Sequence, residues 1–338
     1  MLKTSLLTAT LLCLGAFTAI LCSQSSVSAQ QRRVPTVDDL LNVRTVGGAQ
    51  ISPDGKYVAY TVNETDWKQD AYINHIWLAD VATGKALQLT RGEKSAGNPQ
   101  WSPDGTWLAF TSNRVGDKNQ IFVIHPDGGE ATQLTKTENG VGGYTWSRDG
   151  KRIAFSANDV DSKAAKERQD YLGGFEVVRK EYVYSHLWTF DVEEALKAPL
   201  AGTQRTKGKE FTVGSASWSP DGKWIAFSAT VNPDLIQGGT SDIYLLNLAD
   251  NSTKKLVSQP GPDNNPNFSP DGKWIVFSSA MGNPKFFHSN SRLALVSVDG
   301  GTPRSITDGF DEQPQFVEWN ADGIYFGGLQ KTASHLFR

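Results

Sequence analysis

Ser52-Pro53-Asp54-Gly55 returns along the chain as Trp101-Ser102-Pro103-Asp104-Gly105, Trp146-Ser147-Arg148-Asp149-Gly150, Trp218-Ser219-Pro220-Asp221-Gly222, Phe268-Ser269-Pro270-Asp271-Gly272 and, degenerate, Trp319-Asn320-Ala321-Asp322-Gly323. The six aspartates stand 50, 45, 72, 50 and 51 residues apart. Self-similarity at such a period means one supersecondary unit per repeat, too small to bury its own apolar face and therefore stacked on its neighbours. The interval of 72 marks one insertion in an otherwise regular array.

The phrase is a turn. Proline presets φ, aspartate hydrogen-bonds the backbone just ahead of it, and glycine takes the positive φ that closes the turn. An alternating strand follows each copy, as in Trp107-Leu108-Ala109-Phe110-Thr111, and then a third strand such as Ile121-Phe122-Val123-Ile124. A glycine turn leads to a short outer strand ending in Gln88-Leu89-Thr90, Gln133-Leu134-Thr135 or Ser305-Ile306-Thr307. Four strands per 50 residues define the blade of an all-β propeller, and Trp101, Trp146, Trp218, Phe268 and Trp319 are expected to fill the space between blades. The repeated aspartates are turn formers. About five and a half blades are expected, the sixth running out in its third strand at Leu336-Phe337-Arg338, so the array reads as incomplete.

Three segments are expected: a signal peptide over 1–29, an N-terminal segment over 30–47, and the propeller over 48–338 with an insertion at 158–185. Lys3, the apolar run from Leu6 to Leu21 and the small residues Val27-Ser28-Ala29 read as an export signal cleaved after Ala29. The run is short for a bilayer span of roughly 20 residues, so no stable membrane span is expected and the product would be periplasmic or secreted. Both cysteines, Cys13 and Cys22, fall within that signal, which leaves neither disulfide nor thiol chemistry afterwards. A formal net charge of −3 argues against a nucleic-acid partner. Thr36 and Asp39 are placed for the capping box of a short helix, with Leu40 and Leu41 as apolar contacts.

Taken together, Val37-Asp38-Asp39-Leu40-Leu41, the first blade Ile51-Ser52-Pro53-Asp54-Gly55-Lys56-Tyr57-Val58-Ala59-Tyr60 and the later Trp-Ser-Pro-Asp-Gly phrases resemble the propeller of the prolyl oligopeptidase family of serine peptidases. The acylaminoacyl-peptidase and dipeptidyl-aminopeptidase branches are the nearest in look. The resemblance implies a propeller of seven or eight blades over a C-terminal α/β-hydrolase domain with a Ser-Asp-His triad, acting on short peptides. No catalytic residue can be carried over, because Gly-x-Ser-x-Gly occurs nowhere; Gly214-Ser215-Ala216-Ser217-Trp218 lacks the second glycine and belongs to an inner strand. Alone, the chain should be inactive. Similar phrases occur in the Tol-system periplasmic interaction propeller and in propellers fused to amidohydrolases, and both stay open as alternatives.

The insertion over 158–185 starts charged, with a first half that could form an exposed helix, and continues as Phe175-Glu176-Val177-Val178-Arg179-Lys180-Glu181-Tyr182. In the dipeptidyl-peptidase branches, acidic residues on propeller insertions bind the substrate's free amino terminus and a basic residue can hold a carbonyl. The resemblance thereby makes Glu176, Glu181 and Arg179 candidate substrate-binding residues by type and location, against the reading of ordinary surface charge. The five histidines are scattered singly, Asp263-Asn264-Asn265 lacks the spacing of a calcium loop, and no glycine loop cradles a phosphate, so neither metal nor cofactor is expected.

Overall fold

The computed structural model describes residues 33–160, 162–173 and 182–338. They fall into two units, one ending at Val43 and one beginning at Arg44. In the first, helix α1 (Val37–Leu41) carries the expected capping box: Thr36 Oγ1 accepts from the Asp39 N–H and the Asp39 carboxylate accepts from the Thr36 N–H. Arg33 pairs with the same carboxylate. Leu40, expected as an apolar contact, is instead 66% exposed; a helix of little more than one turn buries only part of its circumference.

The second unit is a β-propeller of six antiparallel meanders. The first blade comprises β1 (Thr45–Ile51), β2 (Tyr57–Asp66), β3 (Ala71–Asp80) and β4 (Ala86–Gln88); the second, β5 (Ala96–Trp101), β6 (Leu108–Ser112), β7 (Gln120–His125) and β8 (Gly128–Gln133). The third holds β9 (Tyr144–Trp146), β10 (Arg152–Asn158), β11 (Ser185–Asp191) and β12 (Thr203–Gln204), with helix α2 (Lys163–Leu172) between β10 and β11 and α3 (Val192–Lys197) between β11 and β12. The fourth holds β13 (Thr212–Trp218), β14 (Trp224–Thr230), β15 (Asp242–Asn247) and β16 (Thr253–Val257), and the fifth β17 (Asp263–Phe268), β18 (Trp274–Ser279), β19 (Arg292–Ser297) and β20 (Arg304–Ser305). The sixth has three strands among the described residues, β21 (Gln315–Asn320), β22 (Gly323–Gln330) and β23 (Ala333–Phe337). The first strand reaches back to Thr45, ahead of the expected start at 48, because Thr45 and Val46 still find partners in Asn63 and Val62.

Serine is the centre of each turn, a role that the sequence reading did not give it. Ser52 Oγ donates to Asp54 Oδ1 (2.7 Å) and accepts from the Tyr57 N–H (2.9 Å), while Asp54 Oδ1 accepts from the Lys56 N–H (3.1 Å). The pattern repeats at Ser102, Ser147, Ser219 and Ser269. The Ser52 hydroxyl, then Lys56, hold the Asp54 carboxyl down at about 2. Ser219→Ala should therefore cost about 1 kcal/mol, because Asp221 loses a donor and the Trp224 N–H its acceptor; urea titration that shows no change in midpoint would refute this.

Turns also stack from blade to blade. A Cβ at Gly105 would stand 3.6 Å from Pro53 Cδ, one at Gly150 3.5 Å from Pro103 Cδ and one at Gly272 3.3 Å from Pro220 Cδ. The third blade has Arg148 in place of proline, and there Arg152 spans the seam instead: its Nη2 donates to Gly222 O (2.7 Å) and its guanidinium lies 4.7 Å over the Trp218 ring.

The aromatics before the turns pack between blades as expected. Trp101 packs with Ala59, Ile76 and Leu78 of the first blade, Trp146 with Ile121 and Val123 of the second, and Trp218 with Ala154 and Leu187 of the third. Phe268 meets Ile243 and Leu245, and Trp319 meets Val276 and Leu293. Ile51, at the equivalent place in the first blade, is 69% exposed. At the outer edge, the threonine closing the Gln-Leu-Thr phrase latches the third strand: Thr90, Thr135, Thr206 and Thr307 accept from the N–H groups of Ile76, Ile121, Leu187 and Leu293 at 2.8–3.0 Å.

Candidate functional site

An antiparallel meander places its first and third hairpins at one end of the blade and its second at the other, so the connections between second and third strands share one end of the array. That end carries the additions to the repeat. In the third blade the connection over 159–184 includes α2, whose N-cap Ser162 accepts from the Ala165 N–H. No residue of α2 is buried, in keeping with an exposed helix, and Lys166 pairs with Glu138 (2.7 Å) ahead of the third blade. In the fourth and fifth blades the same connections hold 3-10 turns at Leu235–Thr240 and Phe286–His288. These two loops touch, since a Cβ on Gly239 would stand 2.9 Å from the Phe286 ring. Leu235 (97% exposed) and Phe287 (84%) point outward from them.

The insertion is anchored on both sides. The Asp159 N–H donates to Tyr184 O, the Asn139 amide to Asp159 O, and the Ser185 N–H to Thr212 Oγ1 (2.9 Å) in the next blade. Tyr182 Oη donates to Asp234 Oδ2 (3.5 Å), linking it to the fourth-blade loop. Glu176, Arg179 and Glu181 lie outside the described residues. The described stretches on either side, 162–173 and 182–184, belong to this end.

Inside the array the inner strands are bulged, with breaks in register at Gly47/Gln50, Gly97/Gln100, Val213/Ala216, Asn264/Asn267 and Phe316/Glu318. Asn98 (φ 51°) and Asn265 (φ 54°) take the left-handed conformation there, each followed by proline. The bulges free backbone groups for bonds to neighbouring blades: Tyr144 Oη donates to Asn98 O (2.6 Å), and the Asn265 N–H to Ser215 Oγ (3.1 Å). Between the inner strands of the fourth, fifth and sixth blades lies a cavity of about 550 Å3, lined on its polar side by Ser215, Asn265, Asn267, Ser278, Gln313 and Gln315. Among the described residues no ionisable side chain lines it. Amides and hydroxyls both donate and accept, which suits an uncharged hydrogen-bonding ligand such as a peptide backbone.

Two constellations resemble catalytic ones and are structural. Ser215 is engaged by the Asn265 N–H and stands 3.0 Å from Ser228 Oγ, with no histidine hydrogen-bonded to either. His186 lies between Asp159 (Nε2 to Oδ2, 3.4 Å) and Thr206 (Nδ1 to Oγ1, 3.3 Å), but Thr206 is buried and performs the latch that Thr135 and Thr307 make where Gln120 and Arg292 stand in place of the histidine. Among the described residues no three His, Cys, Asp or Glu side chains are grouped so as to hold a metal ion, and no helix is long and apolar enough to cross a membrane. Asp263, within the string weighed as a calcium loop, is instead wholly buried at the start of β17. Burial pushes its carboxyl up to about 6, against hydrogen bonds from Ser279 and Gln259; Oδ2 has no partner.

The fold is thus an all-β propeller with its insertions gathered at one end and an amide-lined cavity among its inner strands. The TolB beta propeller domain matches residues 26–178 and 198–327, and the chain belongs to that family. An uncharacterized peptidase, YuxL of Bacillus subtilis (strain 168), is 29% identical over 229 residues, which are 64% of this chain and 34% of that protein. The chain therefore spans about a third of the length of this curated relative. Acylaminoacyl peptidase of Pyrococcus horikoshii shares the fold with a TM-score of 0.62 at 20% identity, over 88% of this chain and 44% of that one. A TolB of Agrobacterium tumefaciens shares it with a TM-score of 0.53 at 20% identity, over 86% of this chain and 84% of that one. The resemblance to peptidase propellers drawn from the repeats is met by the first two relatives.

Proposed function

We propose that this chain is the substrate-gating propeller of an exported, periplasmic or secreted serine peptidase of the prolyl oligopeptidase family acting on short peptides. The reaction would belong to an α/β-hydrolase domain, whose residues this chain does not supply. The relationship to a peptidase of about three times the matched length carries the reading, and the uncharged, amide-lined cavity is compatible with an extended peptide. The propeller would exclude folded chains by size and position the peptide end, while the hydrolase domain performs acyl transfer through a serine nucleophile. In this reading Glu176 and Glu181 bind the free amino terminus and Arg179 a substrate carbonyl.

The test is an assay of the full-length gene product on dipeptidyl and acyl-aminoacyl chromogenic substrates, with and without a serine-directed covalent inhibitor. Inhibitor-sensitive cleavage is expected. Glu176→Gln and Glu181→Gln should each raise KM about tenfold, the equivalent of 1.4 kcal/mol of lost charge pairing, on substrates with a free amino terminus and leave blocked substrates unchanged. Equal effects on both substrate types would remove those residues from the site. The second reading, an interaction propeller, is favoured by the family match itself; a product that cleaves neither substrate but captures a periplasmic protein would establish it.

A further inference from the structure

On the outer side of the array, between the first and second blades, a groove of about 520 Å3 is lined by Arg91, Arg114, Glu130 and the Gly128-Gly129 backbone. The guanidinium of Arg114 lies 4.9 Å from the centre of the Phe110 ring and 5.4 Å from that of Phe122, and its Nε donates to Ser112 Oγ (3.2 Å). Its Nη2 is buried and has no hydrogen-bond partner. Neither Arg114 nor Arg91 forms an ion pair among the described residues, and burial alone weighs on Arg114, lowering its pKa. Its charge also bears on His75, whose Nδ1 is likewise buried without a partner.

Other arginines of this propeller show what a purely structural role looks like. Arg152 is stacked on an aromatic ring in the same manner, yet its Nη2 donates to Gly222 O (2.7 Å). Arg292 donates to Phe310 O. A buried guanidinium N–H without an acceptor is costly, and so is a desolvated cation without a counter-charge. Arg114, half-buried, has the first of these deficits and no counter-charge among the described residues, at the wall of a groove with a second cation.

We propose that this groove binds an oxyanion, a carboxylate or a phosphate group, with Arg114 and Arg91 supplying its two positive charges. A guanidinium pairs with either group, and the Phe110 and Phe122 rings hold that of Arg114 in place beforehand. Glu130 is exposed at the rim and makes no ion pair among the described residues; its charge opposes the ligand and weakens binding.

Thermal unfolding of the chain at neutral pH in sodium phosphate, sodium acetate and sodium chloride of matched ionic strength tests this. A saturable rise in Tm of about 2 to 4 °C at ten times Kd is expected with an oxyanion and not with chloride. The stronger of the phosphate and acetate arms identifies a tetrahedral or a planar ligand. Arg114→Met should abolish the response. Arg91→Gln, at an exposed position, should raise Kd several-fold without altering Tm in chloride, and decides the matter if the Arg114 variant does not fold. Glu130→Gln should lower Kd. The proposal is overturned if chloride reproduces the rise, if no salt produces one, or if the Arg91 variant responds as the parent does.

Discussion

Trp218→Ala should lower the unfolding free energy by about 3–5 kcal/mol. The ring is 4% exposed and belongs to both sides of a seam: it packs with Ala154 and Leu187 of the third blade and with Ile225 and Phe227 of its own. Its Nε1 donates to Thr145 O (3.1 Å), and Arg152 stacks on its face while bonding Gly222 O. Removing it opens a cavity, leaves a carbonyl without its donor and takes away the surface on which Arg152 lies. Trp218→Phe keeps most of the apolar contact and should cost less, about 1 kcal/mol for the lost hydrogen bond plus part of the cavity term. Trp274, which is 38% exposed, is the control: its replacement by alanine should cost well under half as much. Guanidinium titration followed by tryptophan fluorescence reads all three, and similar losses for Trp218→Ala and Trp274→Ala would contradict the seam argument.

Asp263→Asn should remove much of the protein's stability change between pH 4 and 7, about 3 kcal/mol. The carboxyl is wholly buried where the fourth and fifth blades meet: the Asp263 N–H donates to Ser241 O, Ser241 Oγ donates to Asp263 O (2.9 Å), and Gln259 Nε2 donates to Oδ1 (3.0 Å). Oδ2 is unpartnered, and Asp242, itself paired with Lys255 (2.8 Å), adds negative charge nearby. Burial raises the folded-state pKa from 3.8 to about 6. A group raised in this way contributes stability that is fully present below 3.8 and lost as pH rises through about 6. Asparagine keeps the acceptor for Gln259 and carries no charge to desolvate. Urea midpoints measured from pH 4 to 8 should fall with pH in the parent and stay nearly level in the variant; parallel curves would show that Asp263 is ionised in the folded protein.

Much of the fold is legible in the chain because its signals are local. The turn phrase at Ser52, Ser102, Ser219 and Ser269 joins residues at most five apart, so its recurrence and period expose the blades before any long-range contact is known. Even so, the serine hydroxyl went unrecognised. It bonds both the aspartate two residues on and the N–H five residues on, and only the closed turn brings these together. The Gln-Leu-Thr ending was visible as a strand end, whereas the latch from Thr135 to the Ile121 N–H needs the pairing of β7 with β8. Helix α3 was missed, although Asp191 followed by Glu193 and Glu194 is an N-terminal signal that could have found it.

The candidate site was legible only as a place. A break in period located the insertion between Asn158 and Ser185, and β10 and β11 end and begin at those residues. What surrounds it depends on contacts between distant segments, such as Tyr182 with Asp234 and Ser185 with Thr212. The sequence by itself determined the blade, its turn, the aromatics between blades and the position of the insertion, because each follows from hydrogen bonds and side-chain alternation within one repeat. The tertiary structure alone decided that Arg152 replaces a proline at one seam, that Asp263 Oδ2 is denied water and a partner, that Arg114 is left without a counter-charge among the described residues, and that amides line the inner cavity. Those properties are set by desolvation and by neighbours from other blades, and no repeat carries the record of what stacks against it.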